Sequence, residues 1–164
     1  GYDKYYEDYY LHFEWIKKFA IENPSLNIGI KHKDKLENSK EIEIFKDIQN
    51  ITYVIDETKW KDTYLYGKLA KSVCTWSSTL GHELLSIKKE CYYIDPNYNN
   101  KSFIPDYDFY KPLRLNTYEK FVKTIKDQIN GKKNMSVLND SDKFCMNSEN
   151  VSHKIAKFFQ DKLK

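Results

Sequence analysis

Hydrophobic residues along this chain follow two spacings, one typical of helices and one typical of strands. In residues 5–21 the apolar positions recur every three or four residues, which predicts an amphipathic helix that ends before Pro24. Short runs of β-branched and aromatic residues predict strands, because such side chains pack well on a pleated surface. The predicted strands are residues 26–30, 51–55, 72–76 and 91–94.

Helical patterns separate these strands. We predict helices from Asn38 or Ser39 to residue 48, from Asp62 to residue 70, over 79–88, and over 118–129, where Asn130 and Gly131 end the helix. Residues 97–113 are predicted to form a long ordered loop and 132–147 to be irregular, and Ser148 is expected to cap a final helix. Alternating strands and helices predict an α/β fold, a small doubly wound parallel sheet with helices on both faces, in one domain spanning 1–164.

Composition narrows the class of protein. No apolar run approaches the roughly 20 residues of a membrane span, and no secretory signal is visible. The three cysteines are widely spaced, which favours reduced thiols in a cytoplasmic protein. A net charge of +3, from 27 basic and 24 acidic residues, does not favour nucleic acid as a partner. No spacing of His, Cys and carboxylate residues predicts a protein-bound metal. Because the chain starts at Gly1, we expect a fragment of a larger protein.

The candidate chemistry lies in the turn after the third predicted strand, at Ser77, Ser78 and Thr79. In parallel sheets ligands bind beyond the carboxyl ends of the strands, and a helix start offers free N–H groups and partial positive charge to a phosphate. Gly81 would allow a ligand or a neighbouring backbone to come close, and Glu83 could accept hydrogen bonds from ribose hydroxyls. The alternative is ordinary helix capping, with a glycine that relieves packing.

Two histidines are weaker candidates. His32 follows the first strand and could donate to a phosphate or a base carbonyl, or could be a surface residue in a lysine-rich turn. His82 could act as a general acid or base, or could be half-exposed and structural. No nucleophile elbow, Walker loop or dinucleotide fingerprint is present.

The stretch Ser77–Lys89 resembles the serine-rich turn and helix in the C-terminal, donor-binding domain of bacterial surface-polysaccharide glycosyltransferases with the GT-B fold. Lys31–His32 is similar to a strand-end motif of that family, although Lys33 stands where relatives have proline, and Asp62–Tyr64 resembles the helix before the turn. The resemblance implies a Rossmann-like half of a two-domain enzyme. It implies that Ser77, Ser78 and Thr79 bind the donor phosphates, Glu83 the ribose, and His32 the phosphate or base, with Gly81 in the same donor-binding turn.

The resemblance also implies the substrates. The donor would be a CDP-, CMP- or UDP-linked sugar or polyol, with no tightly bound cofactor, and the glycan acceptor would bind through an N-terminal domain outside this chain. The catalytic base would lie there too, so that the isolated chain is an incomplete transferase. We expect it in the cytoplasm, with the inner face of the membrane as the alternative for the full protein. Two other functions remain open, a non-catalytic α/β interaction domain and an enzyme similar to nucleotide-sugar 2-epimerases.

Overall fold

The computed structural model describes residues 2–31, 40–54, 61–76, 78–96 and 108–144. For residues 2–9, 40, 61, 62 and 142–144 the description covers the backbone only. Helices and strands alternate over most of this length, as the hydrophobic pattern predicts. The helices are α1 (Tyr2–Glu22), α2 (Lys40–Phe45), α3 (Lys61–Leu69), α4 (Leu80–Ser86), α5 (Tyr118–Ile129) and α6 (Met135–Phe144). The strands are β1 (Ile28–Lys31), β2 (Ile51–Val54), β3 (Cys74–Thr75), β4 (Tyr92–Ile94) and β5 (Arg114–Leu115), and a short 3₁₀ helix, Lys111–Leu113, precedes β5.

All strand pairs in the described residues are parallel. One sheet has the order β1-β2 and the other has the order β3-β4-β5. In the second sheet Cys74 pairs with Tyr92 and Tyr93 with Arg114. The carboxyl ends of β3, β4 and β5 therefore lie along the same edge, where ligands of parallel sheets bind.

The core joins the β3-β4-β5 sheet to helices from both ends of the chain. Phe19 on α1 packs edge-on against Phe121 on α5, with ring centroids 5.4 Å apart. The β4 residues are buried, and Leu113 and Leu115 are fully inaccessible to solvent. One hydrophobic cluster therefore unites α1, α4, α5 and the central strand.

Neighbouring residues of β4 contact helices on opposite faces of the sheet. Tyr93 lies against Gly81 on α4. The hydroxyl of Tyr92 donates to Glu90, which also accepts from Gln128 on α5. Because successive side chains of a strand point to opposite faces, α4 and α5 lie on opposite sides of β4.

Helix α6 is held by polar contacts with the segment between α4 and β4. Glu90 is buried, and its carboxylate accepts from the backbone N–H of Asn134 at 2.6 Å. Lys88 has a left-handed backbone, with φ of 61°. Its ammonium donates to the carbonyl of Leu138 and to the hydroxyl of Ser141, both at 3.0 Å.

The mixed α/β architecture with parallel strands is confirmed, but the described strands form two sheets rather than one continuous doubly wound sheet. The prediction that 132–147 is irregular was wrong for 135–144, where α6 contacts Lys88, follows the Asn134–Glu90 hydrogen bond and places Val137 in the core. All of these contacts are with residues remote in sequence. The end of the predicted 97–113 loop contains a 3₁₀ helix, and β5 was not predicted. The helix expected after Ser148 lies outside the described residues.

Candidate active site

The turn between β3 and α4 lies at the carboxyl edge of the β3-β4-β5 sheet. Ser78 and Thr79 are both exposed there. The Ser78 hydroxyl accepts a hydrogen bond of 3.2 Å from the backbone N–H of Leu80, the first residue of α4. Thr79, the N-cap residue, makes no capping hydrogen bond with its side chain. The Ser78 hydroxyl thus stabilises the helix start, while Thr79 is exposed and takes no part in capping.

Ser77 and His32 lie outside the described residues. The structure therefore brings Ser78, Thr79, Gly81 and Glu83 together on one turn and one short helix, and the roles of Ser77 and His32 stay predictions.

Gly81 is required by a neighbouring side chain. A Cβ atom at this position would lie 2.5 Å from the hydroxyl oxygen of Tyr93 and 2.7 Å from its Cζ. Tyr93 is only 1% exposed, so its ring cannot swing away. The close neighbour is thus an aromatic ring of the sheet, which agrees with the packing alternative for this glycine.

Glu83 is half-buried one turn into α4 and is contacted from α3. The hydroxyl of Tyr64 donates to its Oε2 atom. This hydrogen bond is the main reason that the pKa of Tyr64 is raised. Nothing in the sequence of the segment Asp62–Tyr64 indicates this contact of Tyr64 with Glu83.

His82 belongs to an aromatic cluster beneath the same helix. Its Nδ1 atom and the hydroxyl of Tyr110 are 2.9 Å apart and form a hydrogen bond. Its ring also lies 5.7 Å from that of Tyr93, centroid to centroid. Burial lowers the pKa of His82, and the charge of Glu83 opposes this effect in part. His82 therefore has a packing role, and it links α4 to the segment that leads into β5.

Helix α1 also reaches the turn. The His12 ring, which is buried, stacks on Trp76 with centroids 5.6 Å apart and planes within 5°. Trp76 is the last described residue before Ser78, so α1 supports the turn from one side. His12 occurs in an amphipathic helix that gives no sequence signal for this contact.

A buried ion pair lies below the adjoining strand ends. Asp95, directly after β4, and Arg114, the first residue of β5, are each 1% exposed, with Arg114 Nε 3.4 Å from Asp95 Oδ2. Arg114 is the single arginine among 27 basic residues. Removing either charge would take this contact from the other charge while it stays buried, which is costly.

Three further observations concern the described residues as a whole, beyond the turn. Among the described residues, no group of three or more His, Cys, Asp or Glu side chains could bind a metal ion. A groove of about 420 Å³ between α1 and α2 is lined by Tyr10, Glu14, Glu43 and Ile44, and contains none of the candidate residues. Within the described residues no helix is both long and apolar enough to cross a membrane.

Comparison of the chain with protein-family models, with curated proteins and with solved structures gave no match. The candidate site is therefore interpreted from its own geometry.

Proposed function

We propose that this chain binds a nucleotide-activated sugar or polyol and is the donor-binding half of a glycosyltransferase that makes bacterial surface polysaccharide. In this proposal the two sheets belong to a Rossmann-like domain of the GT-B type. The observation that carries it is the exposed pair Ser78 and Thr79 at the start of α4, on the carboxyl edge of a parallel sheet. Phosphates bind at such places because hydroxyls and backbone N–H groups donate to them and the helix dipole favours negative charge.

The reaction needs stabilisation of the leaving nucleotide. As the sugar departs, negative charge grows on the terminal phosphate, and donors that are already oriented lower the barrier without reorganisation. Ser78 and Thr79 would supply such donors, and Glu83 would accept from the ribose hydroxyls. The base that activates the acceptor would come from a second domain.

A nucleotide titration of the full chain tests the proposal. CDP, CMP and UDP should each be added to ¹⁵N-labelled protein, and at least one is expected to shift the amide signals of Ser78 and Thr79 at millimolar concentration or below. Ser78→Ala should weaken binding about tenfold, because a hydrogen bond to a charged group contributes about 1.5–3 kcal/mol.

Ser25→Ala is the matched control, since Ser25 is an exposed serine in the turn after α1. It should leave nucleotide affinity unchanged. Absence of any shift with all three nucleotides would refute the proposal, and equal losses in the Ser78 and Ser25 variants would assign the Ser78 effect to general destabilisation.

One observation favours the second candidate, a non-catalytic interaction domain. On α3, Leu65, Tyr66 and Leu69 are 52%, 51% and 71% exposed, and exposed apolar clusters are common at protein interfaces. This candidate expects binding to a protein partner that survives the Ser78→Ala plus Glu83→Ala double substitution and is lost with Leu65→Ser plus Leu69→Ser.

A further inference from the structure

Helix α3 exposes an apolar surface on the side that faces away from α4. Gly67 packs against α4, where a Cβ atom on it would lie 3.1 Å from Cδ2 of Leu84. Leu65 and Leu69 each lie two residues from Gly67, about 200° around a helix, and both are exposed, as is Tyr66 beside them. We call Leu65, Tyr66 and Leu69 the α3 patch. Covering this patch is favourable, because apolar surface is stabilised when it leaves water.

The described chain ends close to α3. Lys88 and Lys89, directly after α4, hold the ends of two helices. The ammonium of Lys88 donates to the hydroxyl of Ser141 on α6 at 3.0 Å, and that of Lys89 donates to the carbonyl of Ala70, the residue after α3. Helix α6 ends one helical turn beyond Ser141. The ends of α3 and α6 therefore lie beside the same two lysines.

The sequence after α6 contains an amphipathic segment. Residues 145–164 lie outside the described residues, and the sequence predicts a helix there with Ser148 as its cap. Within 148–159 the apolar positions follow the spacing of one helical face, namely Val151, Ile155, Phe158 and Phe159. Most of the stability of such a helix comes from packing its apolar face, so this segment needs an apolar surface to bind.

The connection from α6 to this segment is short but sufficient. The chain from Phe144 to Ser148 spans up to about 13–14 Å when extended, which exceeds the distance of about 8–10 Å between packed helices. A segment on so short a linker has an effective concentration on the order of millimolar, which favours it over a dissolved partner. Both surfaces carry lysines, such as Lys68 and Lys154, so apolar burial rather than charge attraction must hold the contact.

We propose that residues 148–159 of this chain bind the α3 patch and cover it, with the apolar face of the segment against Leu65 and Leu69. This contact does not depend on nucleotide binding. It bears on the second candidate function, because a protein partner at α3 would first have to displace residues 148–159.

Hydrogen–deuterium exchange of the full chain tests the contact from both sides. Leu65→Ser plus Leu69→Ser should speed amide exchange in 148–159 about tenfold or more, because two apolar side chains are lost from the contact. Ile155→Ser plus Phe158→Ser should speed exchange in α3. Combining the two pairs should add nothing in either segment, since the same contact is lost only once.

Ile21→Ser plus Ile42→Ser is the matched control, because both isoleucines are exposed and lie on α1 and α2. It should leave exchange in 148–159 unchanged. An acceleration equal to that of the Leu65 and Leu69 pair would assign the effect to general destabilisation and contradict the contact.

Two further outcomes would overturn the inference. Equal exchange of 148–159 in the wild type and in the Leu65 and Leu69 variant would leave the α3 patch to a protein partner, as the second candidate function expects. Protection of α3 that rises with protein concentration would show that a second copy of the chain covers the patch instead. Neither result affects the nucleotide titration, so the proposed function would stand or fall separately.

Discussion

At the scale of single residues, Tyr93 of β4 explains why position 81 of α4 is a glycine. Alanine is the better helix former by about 1 kcal/mol, yet its Cβ would lie 2.5 Å from the Tyr93 hydroxyl oxygen. Overpacking of a buried site costs about 1–3 kcal/mol. We expect Gly81→Ala to lower the free energy of unfolding by up to about 2 kcal/mol, measured by urea denaturation.

The Tyr93→Phe background provides the control for Gly81. It removes the nearest atom but leaves Cζ at 2.7 Å, so the cost of Gly81→Ala should fall there without vanishing. A Gly81→Ala variant more stable than the wild type by the full helix-propensity gain of about 1 kcal/mol would show that Tyr93 does not fill this space.

His82 makes stability depend on pH. Burial holds its pKa below the ordinary value of 6.5 in the folded state, so the unfolded chain binds the proton more readily. The stabilisation is complete above about pH 6.5 and declines as the pH falls through that value. Unfolding free energies measured between about pH 7.5 and 5.5 should decrease with acidification in the wild type and less steeply in His82→Gln. Equal slopes in the two proteins would contradict this assignment.

At the scale of elements, α6 depends on a residue with an unfavourable backbone. Lys88 adopts φ of 61°, which is strained for a residue with a Cβ, and donates to Leu138 and Ser141. Lys88→Met keeps the strain and loses the contacts, whereas Lys88→Gly loses the contacts and relieves the strain. We expect both variants to speed amide exchange in α6. The methionine variant should be less stable than the glycine variant by about 1 kcal/mol, because only the methionine variant keeps the backbone strain. A glycine variant as unstable as the methionine variant would argue against stored strain.

The same element shows where sequence patterns suffice and where they fail. Helix α5 matches its predicted bounds because a strong apolar stripe, the Thr117 cap and Gly131 all act locally. Helix α6 buries only a narrow set of side chains, and its anchors, Glu90 and Lys88, are 44 to 53 residues away along the chain. The spacing of apolar residues does not predict a helix when the contacts that hold it come from another part of the chain.

The candidate site divides in a similar way. The position of the turn follows from the order of strands and helices, so Ser78, Thr79 and Glu83 could be selected from the sequence. Tyr64, which contacts Glu83, and Tyr93, which lies against Gly81, come from α3 and β4, and only the packing of those elements brings them close. The residues at the turn were thus predictable from the sequence, and their contacts with α3 and β4 were not.

At the scale of the whole molecule, the single arginine holds the end of the main sheet. Strand β5 was not predicted, because a charged residue such as Arg114 does not indicate a buried strand. The burial of Arg114 can be understood only once its contact with Asp95 is known. Breaking a buried pair by removing one charge costs about 3–5 kcal/mol. Arg114→Met should cause a loss of this size in denaturant unfolding, and Asp95→Leu plus Arg114→Met should cost less than the sum of the two single losses. Additive losses in the double variant would show that the two charges do not depend on each other.

The contacts of α1 also bear on the order in which the chain can fold. Glu22 at the end of α1 accepts a hydrogen bond from Tyr118 on α5, 96 residues later, and Phe19 packs on Phe121 in the same helix. During synthesis α1 leaves the ribosome before α5, so its apolar face can meet this partner only after the intervening residues have been made. Long-range contacts of this kind slow folding, and an aromatic helix left exposed until then favours association with other chains. Packing of α1 thus depends on α5, a helix that is synthesised much later.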